Sequence, residues 1–503
     1  MRLFVFAIGG TGSKVLTQFV MMLAAGVRPL DATGKPFSVV PIIIDPHVDN
    51  EGLQQVDKLL TCYRNIRKRI YENERDDAQE GFFSVKVETL KDTGGNEGSD
   101  SDDKFYLRDD ALSDSEFSEF IGLNGMTVDD SDFCHLIFSK EELETKMAEG
   151  FYGSPNIGCV ALRDFVHSQD FKNICDRFNM ENGDRMFFIG SLFGGTGAAG
   201  LPLLISSIRS LVGSSVSTKP VKSPIGALMM LPYFSIKKDE NAQIDQADWV
   251  IKTKSALSYY EKNLDKYINA IYYVNDNLGS TPYDHDDGKD NQKANKAHIA
   301  EFCGALSLFD FAGIAKDKLD YGDKGVKDSD CHYNGYSFKS IADKPSFSFK
   351  YLPPNTNKLI MKPFMKFYIM ENFMKNSLKS YSNKPFAKQL GSVLNMTGDD
   401  YLMKFFKEFD QFFNEMKEQD NRKLNLFNQV TDDYTKAFVD VEFKKKFLGS
   451  NKITASDLVA PLNKENNNYK DGTDNPYNRW FTIANIALDK FIDEHFVLTE
   501  CLN

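Results

Sequence analysis

Two short runs of glycine dominate any search of this chain for chemistry. The first, Gly9-Gly10-Thr11-Gly12-Ser13-Lys14, directly follows the apolar run Leu3–Ile8 and opens a helical pattern. Glycines at such a turn let the backbone bend sharply and approach a phosphate. The helix N-terminus behind them supplies unpaired N–H donors and the positive end of its dipole. The second run, Phe193-Gly194-Gly195-Thr196-Gly197-Ala198-Ala199-Gly200, follows the apolar Phe187–Leu192 in the same way. A Rossmann-type dinucleotide turn would explain either run alone but has no use for the other. Two such turns in one sheet can wrap a polyphosphate from two sides. Neither has the P-loop spacing GxxxxGK(S/T); Lys14 reads as an ordinary first-turn lysine, the other reading being a phosphate contact.

The elements that would position these turns follow from the apolar pattern. Leu3–Ile8, Val39–Ile44, Met186–Ile189, Ile225–Leu231 and Ile271–Val274 read as strands, apolar on both faces, as in a parallel sheet covered on both sides. Ser13–Ala25, Ala199–Leu211 and Gln246–Ile268 read as the intervening helices. Lys91–Asp110 and Ser280–Asn295 are polar and read as surface loops, the first a mobile insertion. After about Gly313 the pattern becomes helical and rich in phenylalanine, over Phe364–Tyr381, Tyr401–Gln419 and Asn478–Phe496. In the second of these, Leu402, Phe405, Phe406, Phe409, Phe412 and Phe413 recur at helix spacing, the mark of a packed core or an interface.

The bulk properties narrow the functional classes. A formal charge of -12 argues against a general electrostatic grip on nucleic acid, while leaving a nucleotide ligand open to backbone donors and a metal ion. The first apolar run is too short for a signal sequence, and no run reaches membrane-spanning length. Seven scattered cysteines without a CxxC fit a reduced, cytoplasmic protein. The seven histidines form no metal-ligand spacing, and Ser191 is not set in a GxSxG nucleophile turn.

Taken together, the glycine turns resemble those of the tubulin/FtsZ superfamily. Gly194–Gly197 with Pro202 look like its signature loop, GGGTGTG or GGGTGSG, with Phe193 in place of the first glycine and Ala198 where the family carries a hydroxyl. Gly9–Gly12 with Ser13 match the first nucleotide loop. Asp45 resembles the last residue of the Asn-Thr-Asp turn of FtsZ, where a carboxylate positions a magnesium-bound water; read alone, it is a strand-end turn former. The stretch Gly150–Gly158 is similar to the GxGGxPxxG loop that closes on the terminal phosphate, which puts Gly153, Ser154 and Asn156 beside the ligand; read alone, it is a turn. Asn275 falls at the strand end whose asparagine touches the nucleoside. Asn295, with Gly304 at the family's offset, falls where an asparagine opening the central helix reads the guanine edge; the other reading is a helix cap.

The resemblance implies an α/β, parallel-sheet nucleotide-binding domain over residues 1–312, with an insertion at about 52–149. A mainly helical C-terminal domain over 313–503 would follow. It implies GTP or GDP, with magnesium, and head-to-tail assembly of copies into filaments with slow hydrolysis at the contacts. The family's acidic NxDxxD loop is absent. Asp317 and Asp320 share its acidic spacing, and a solvated helix face is the other reading. A second hypothesis is therefore a nucleotide-gated scaffold with little turnover, whose protein partner engages the C-terminal domain or the acidic insertion. A Rossmann-type oxidoreductase is the third.

Overall fold

The computed structural model of the chain describes residues 1–46, 51–71, 80–93, 104–105, 115–147, 151, 153–179, 182–211, 218–236, 246–276, 282–283, 296–319, 332–337, 346–388, 400–419, 422–429, 433–444, 451–469 and 475–498. Its centre is a sheet of seven parallel strands: β1 (Arg2–Ile8), β2 (Ser38–Ile44), β3 (Lys104–Phe105), β4 (Arg185–Ser191), β5 (Ile225–Met230), β6 (Ala270–Asn275) and β7 (His332–Ser337). They lie in the order β3-β2-β1-β4-β5-β6-β7, all pairs parallel. Strand order reverses between β1 and β4. In open parallel sheets the crevice at that reversal, beyond the carboxyl ends of the strands, is where ligands bind.

The main helices are α1 (Gly9–Ala24), α2 (Glu51–Ile70), α3 (Val128–Ile137), α4 (Pro155–His167), α5 (Gly195–Arg209), α6 (Gln246–Asn263), α7 (Ile299–Gly313), α8 (Pro354–Asn376), α9 (Asp400–Lys417), α10 (Ala455–Asn468) and α11 (Pro476–His495). Because strand side chains alternate, each sheet face has its own core. Leu3, Val5 and Ala7 of β1 join α1 and α7 on one face. Phe4, Phe6 and Ile8 join α4 and α5 on the other. All six β1 residues are fully buried. The α/β class expected from the apolar strands is the one observed, followed by a mainly helical C-terminal part.

Two boundaries differ from the sequence reading. The expected insertion at 52–149 is not one unit: α2 packs directly on α1, with Leu53, Val56, Leu60 and Tyr63 buried, and Phe82 and Phe83 are buried beyond it. Phe83, at a φ of 53°, meets Tyr63, Phe367, Phe405 and Phe481 at ring-centroid distances of 5.3, 5.9, 5.1 and 6.0 Å. Lys104–Phe105 is an edge strand, and among the described residues of this span 115–147 carries a largely exposed helix, α3, with Val128, Phe133 and Leu136 open to solvent. Residues 94–103 and 106–110 of the expected loop, and most of Ser280–Asn295, lie outside the described residues.

The sheet also runs past residue 312, because β7 pairs with β6 over six residue pairs. One hydrophobic cluster extends from the first sheet face through α2 into α8, α9, α10 and α11. The boundary expected at 312/313 therefore does not divide the core.

Helix α7 runs antiparallel to the strands. At its C-terminal end Arg185, the first residue of β4, donates from Nη1 to the carbonyls of Phe311 (2.8 Å) and Ala312 (3.1 Å). Asn269, just before β6, donates to Leu319 O at 3.0 Å. The turn after α7 is thus held at the amino edge of the sheet, opposite the glycine turns.

Candidate functional site

The register brings the candidate residues to one edge. Ile8 pairs with Ile44 and Ala7 with Ile189, so the chain leaves β1, β2 and β4 side by side, at Gly9, Asp45 and the approach to Gly194. Met230 pairs with Val274, which places Asn275 at the same edge. Asp45 is buried there and Asn275 is half-buried.

The two glycine turns touch. Gly9 has a φ of 71°, and a Cβ built on it would lie 3.3 Å from Thr196 Cβ and 3.6 Å from Gly197 N. Gly9, Gly10, Thr11, Gly12 and Ser13 form the first turn of α1; Gly194 caps α5, and Gly195, Thr196, Gly197 and Ala198 form its first turn. Gly12 and Gly197 let these helices approach their strands: a Cβ would sit 2.7 Å from Ala7 C in one case and 2.6 Å from Ser191 N in the other. The third loop joins them. A Cβ on Gly195 would lie 2.7 Å from Phe151 Cβ and 3.3 Å from Gly153 N, and one on Gly158 would lie 3.1 Å from Gly195 O. Gly153 has a φ of 72°, Ser154 caps α4, and Asn156 is exposed in its first turn.

Three helix N-termini therefore converge, and none is satisfied from within. The caps of α1, α4 and α5 make no side-chain hydrogen bond, and none of the three first turns carries an acidic residue. Each helix start leaves about four N–H groups without intrahelical acceptors and about half a positive charge. Ser13 Oγ is fully buried in the same turn with no hydrogen-bond partner. Helix α7 begins at this edge too, but it caps itself: Ala300 N donates to His298 Nδ1 and His298 N to Glu301 Oε2, both at 3.0 Å. The arrangement suits an anion with several acceptor oxygens.

Phe193, standing where the resembled loop has glycine, does not separate the turns. Its ring joins Tyr233, Phe234 and Trp249 at centroid distances of 6.1, 5.7 and 4.8 Å. Asn295 lies outside the described residues. The helix it was expected to open begins at Ile299 instead, because the His298–Glu301 pair supplies the cap. Gly304 packs closely on β5, its Cβ position 2.8 Å from Leu228 Cδ2. Asp317 is exposed at the opposite edge, between Lys316 and Lys318, and Asp320 lies outside the described residues. No group of three or more His, Cys, Asp or Glu side chains converges as a metal site among the described residues.

Sequence reasoning missed two groups. Lys252 of α6 donates to Gly153 O at 2.8 Å and brings a cation to the third loop. Behind the turns lies a buried polar chain. Lys14 pairs with Glu301 at 3.9 Å, and Glu301 accepts from Tyr233 Oη at 2.8 Å. His298 Nε2 stands 3.7 Å from Asp276, which also meets Arg422 at 2.5 Å. Nothing in the sequence singled them out, since charged residues are ordinary in helices and loops.

Burial pushes the Glu301 carboxyl up. Burial, with the Lys14 and Arg422 charges adding, pushes His298 down from 6.5 to about 3, so the ring is neutral despite Asp276, whose charge Arg422 already takes up. Below pH 6.5 the unfolded ring gains a proton that the native ring refuses until about pH 3. The stabilisation is therefore complete above 6.5 and is lost as pH falls through that window, at up to about 1.4 kcal/mol per pH unit. His298→Asn, which keeps a capping side chain, should flatten urea-derived stability between about pH 6 and about pH 4.5 relative to the parent. Parallel slopes would mean the ring is already charged.

No protein-family model matches the chain, and no curated protein matches it. Among solved structures it aligns with CetZ from Methanosaeta thermophila strain DSM 6194, at 10% identity over 62% of this chain and 52% of that one, with a TM-score of 0.30. It aligns with CetZ2 from Haloferax volcanii in a GTPγS-bound protofilament at 12% identity, 63% and 60% coverage and a TM-score of 0.29. It also aligns with an FtsZ from M. jannaschii at 12% identity, 61% and 54% coverage and a TM-score of 0.25. The alignments span between about half and three-fifths of those chains. FtsZ, to which the motifs were compared, is thus among the structural matches. No described helix is long and apolar enough to cross a membrane.

Proposed function

We propose that the crevice between β1 and β4 binds the phosphates of a guanine nucleotide, and that copies of the chain associate head to tail through that edge. The observation that carries this reading is the contact between Gly9 and Thr196, which makes two uncapped helix starts into one donor surface. The third loop and Lys252 complete the cradle on one side. Asp45, buried at the end of β2, is the carboxylate that would hold magnesium, directly or through water, and the metal would offset the phosphate charge when bound. Guanine, as the base, is taken from the resemblance through Asn275 and Asn295. Head-to-tail association draws support from Asp317, which stands on an exposed turn at the amino edge, opposite the cradle, where a second subunit's ligand would meet it.

A scaffold with little turnover is the second reading. Ala198 supplies no hydroxyl, and two lysines flank Asp317, so positioning of an attacking water is weak. Both readings share the ligand.

Release of the nucleotide that co-purifies with the full chain, and its identification by chromatography, tests that shared part. A guanine nucleotide is expected. NAD in its place, with no affinity for guanine nucleotides, would overturn the proposal. Light scattering with GTP and magnesium, followed by phosphate release, separates the filament-forming enzyme from the scaffold.

A further inference from the structure

Large apolar side chains that stand out of the fold are gathered rather than scattered. Eight are strongly exposed among the described residues, and six of these lie on two helices, α3 and α6. On α3 they are Val128, Phe133, Leu136 and Ile137, with Leu136 84% exposed. On α6 they are Ile251 and Tyr259, 62% and 53% exposed. At about 3.6 residues per turn the four on α3 share one half of the helix surface, with Asp129 and Asp132 between them. Ser131 and Cys134, on the other half, are the half-buried positions.

Helix α3 is short of support within its own chain. None of its ten residues is buried, and an isolated helix of that length is marginal in water. Thr127 caps its start, accepting from Asp130 N, but the cap leaves the apolar half open. A solvent-facing half would ordinarily be polar, and an exposed apolar patch of this kind marks a contact surface.

Helix α6 has the opposite charge. Thr253, Tyr260 and Leu264 are buried on its inner side, while its outer side sets Ile251 and Tyr259 among Lys254 and Lys262. Glu261 lies at the margin of that face. Ser255 and Ser258, both exposed and small, separate the two large residues and leave a groove for a side chain from another helix. Helix α3 brings Asp129, Asp130 and Asp132 and no lysine or arginine. One chain thus carries both halves of a complementary pair, and within a single copy both stay open to solvent.

We propose that α3 of one copy docks on α6 of a second copy, apolar anchors together and carboxylates against lysines. The contact uses residues outside the phosphate cradle and does not rest on the nucleotide reading. Two helices bury a small area, so the association is weak and shows at about 100 μM protein.

Sedimentation velocity of the full chain in EDTA, without added nucleotide, tests this apart from any association driven by GTP and magnesium. The parent should self-associate at low salt, and less so as salt rises to roughly 0.5 M. Asp132→Lys should weaken association at least about tenfold, and Lys254→Glu with Lys262→Glu should do the same, because like charges then face each other. Mixed in equal amounts, the two variants should associate again, each presenting the charge that the other lacks. All these positions are exposed, so melting temperature and nucleotide binding should stay at the parent's values. A parent that remains monomeric, a charge-reversed variant that associates as the parent does, or a mixture no better than its components would overturn the proposal.

Discussion

Gly197→Ala should reduce nucleotide affinity by at least about a hundredfold, about 2.7 kcal/mol. The added methyl would lie 2.6 Å from Ser191 N and 3.0 Å from Ser191 O, both backbone atoms of β4 that cannot swing aside. The first turn of α5 must then withdraw from the strand, carrying its N–H groups away from those of α1. Such overpacking also lowers stability, by about 1–3 kcal/mol. Gly125→Ala, at a position with nothing within 4 Å, is the control and should change neither property. Fluorescent-nucleotide titration beside thermal melts separates the two effects. A Gly197→Ala protein that melts lower yet binds as before would show that the ligand does not lie on this turn.

Thr196→Asp should produce the second large effect, with two readouts moving in opposite directions. A carboxylate in the first turn of α5 meets an uncapped helix start and interacts favourably with its dipole, by about 0.3–1 kcal/mol. The ligand-free protein should melt at the parent temperature or slightly above it. The same carboxylate occupies the place of a phosphate and repels the others. At about 4 Å and an effective dielectric near 20, one such charge pair costs about 4 kcal/mol, on the order of a thousandfold in affinity. Thr196→Asn has similar size without charge and should lose far less. If Asn and Asp weaken binding equally, steric fit rather than charge governs the turn.

How much of this was legible in the sequence depended on how local the signal was. Strands β1, β2, β4, β5 and β6 announced themselves because both their faces are buried, which leaves uninterrupted apolar runs. Strand β7, with the sequence HYNGYS, has no such run and was missed. The glycine turns were readable because the close approach of backbone to backbone admits no side chain. The start of α7 was misplaced because its cap is a histidine working with Glu301 rather than the Asn expected there. Lys252 and Glu301 gave no warning, since a charged residue in a helix is ordinary until its neighbours are known. The supposed boundary at 312/313 failed for a related reason. The partners of Phe83 are Phe367, Phe405 and Phe481, hundreds of positions away, and no pattern within either segment reports that they meet.

That same ring bears on how the molecule can move. A hinge needs a plane that few side chains cross, and Phe83 stands between the helices on the first sheet face and the late helices. Lys14, Glu301, His298, Asp276 and Arg422 cross it a second time, from the foot of the cradle. Opening there would expose interlocked rings and strand paired charges together. Parting there would break both sets of contacts at once, so the sheet and the late helices should unfold as one cooperative unit.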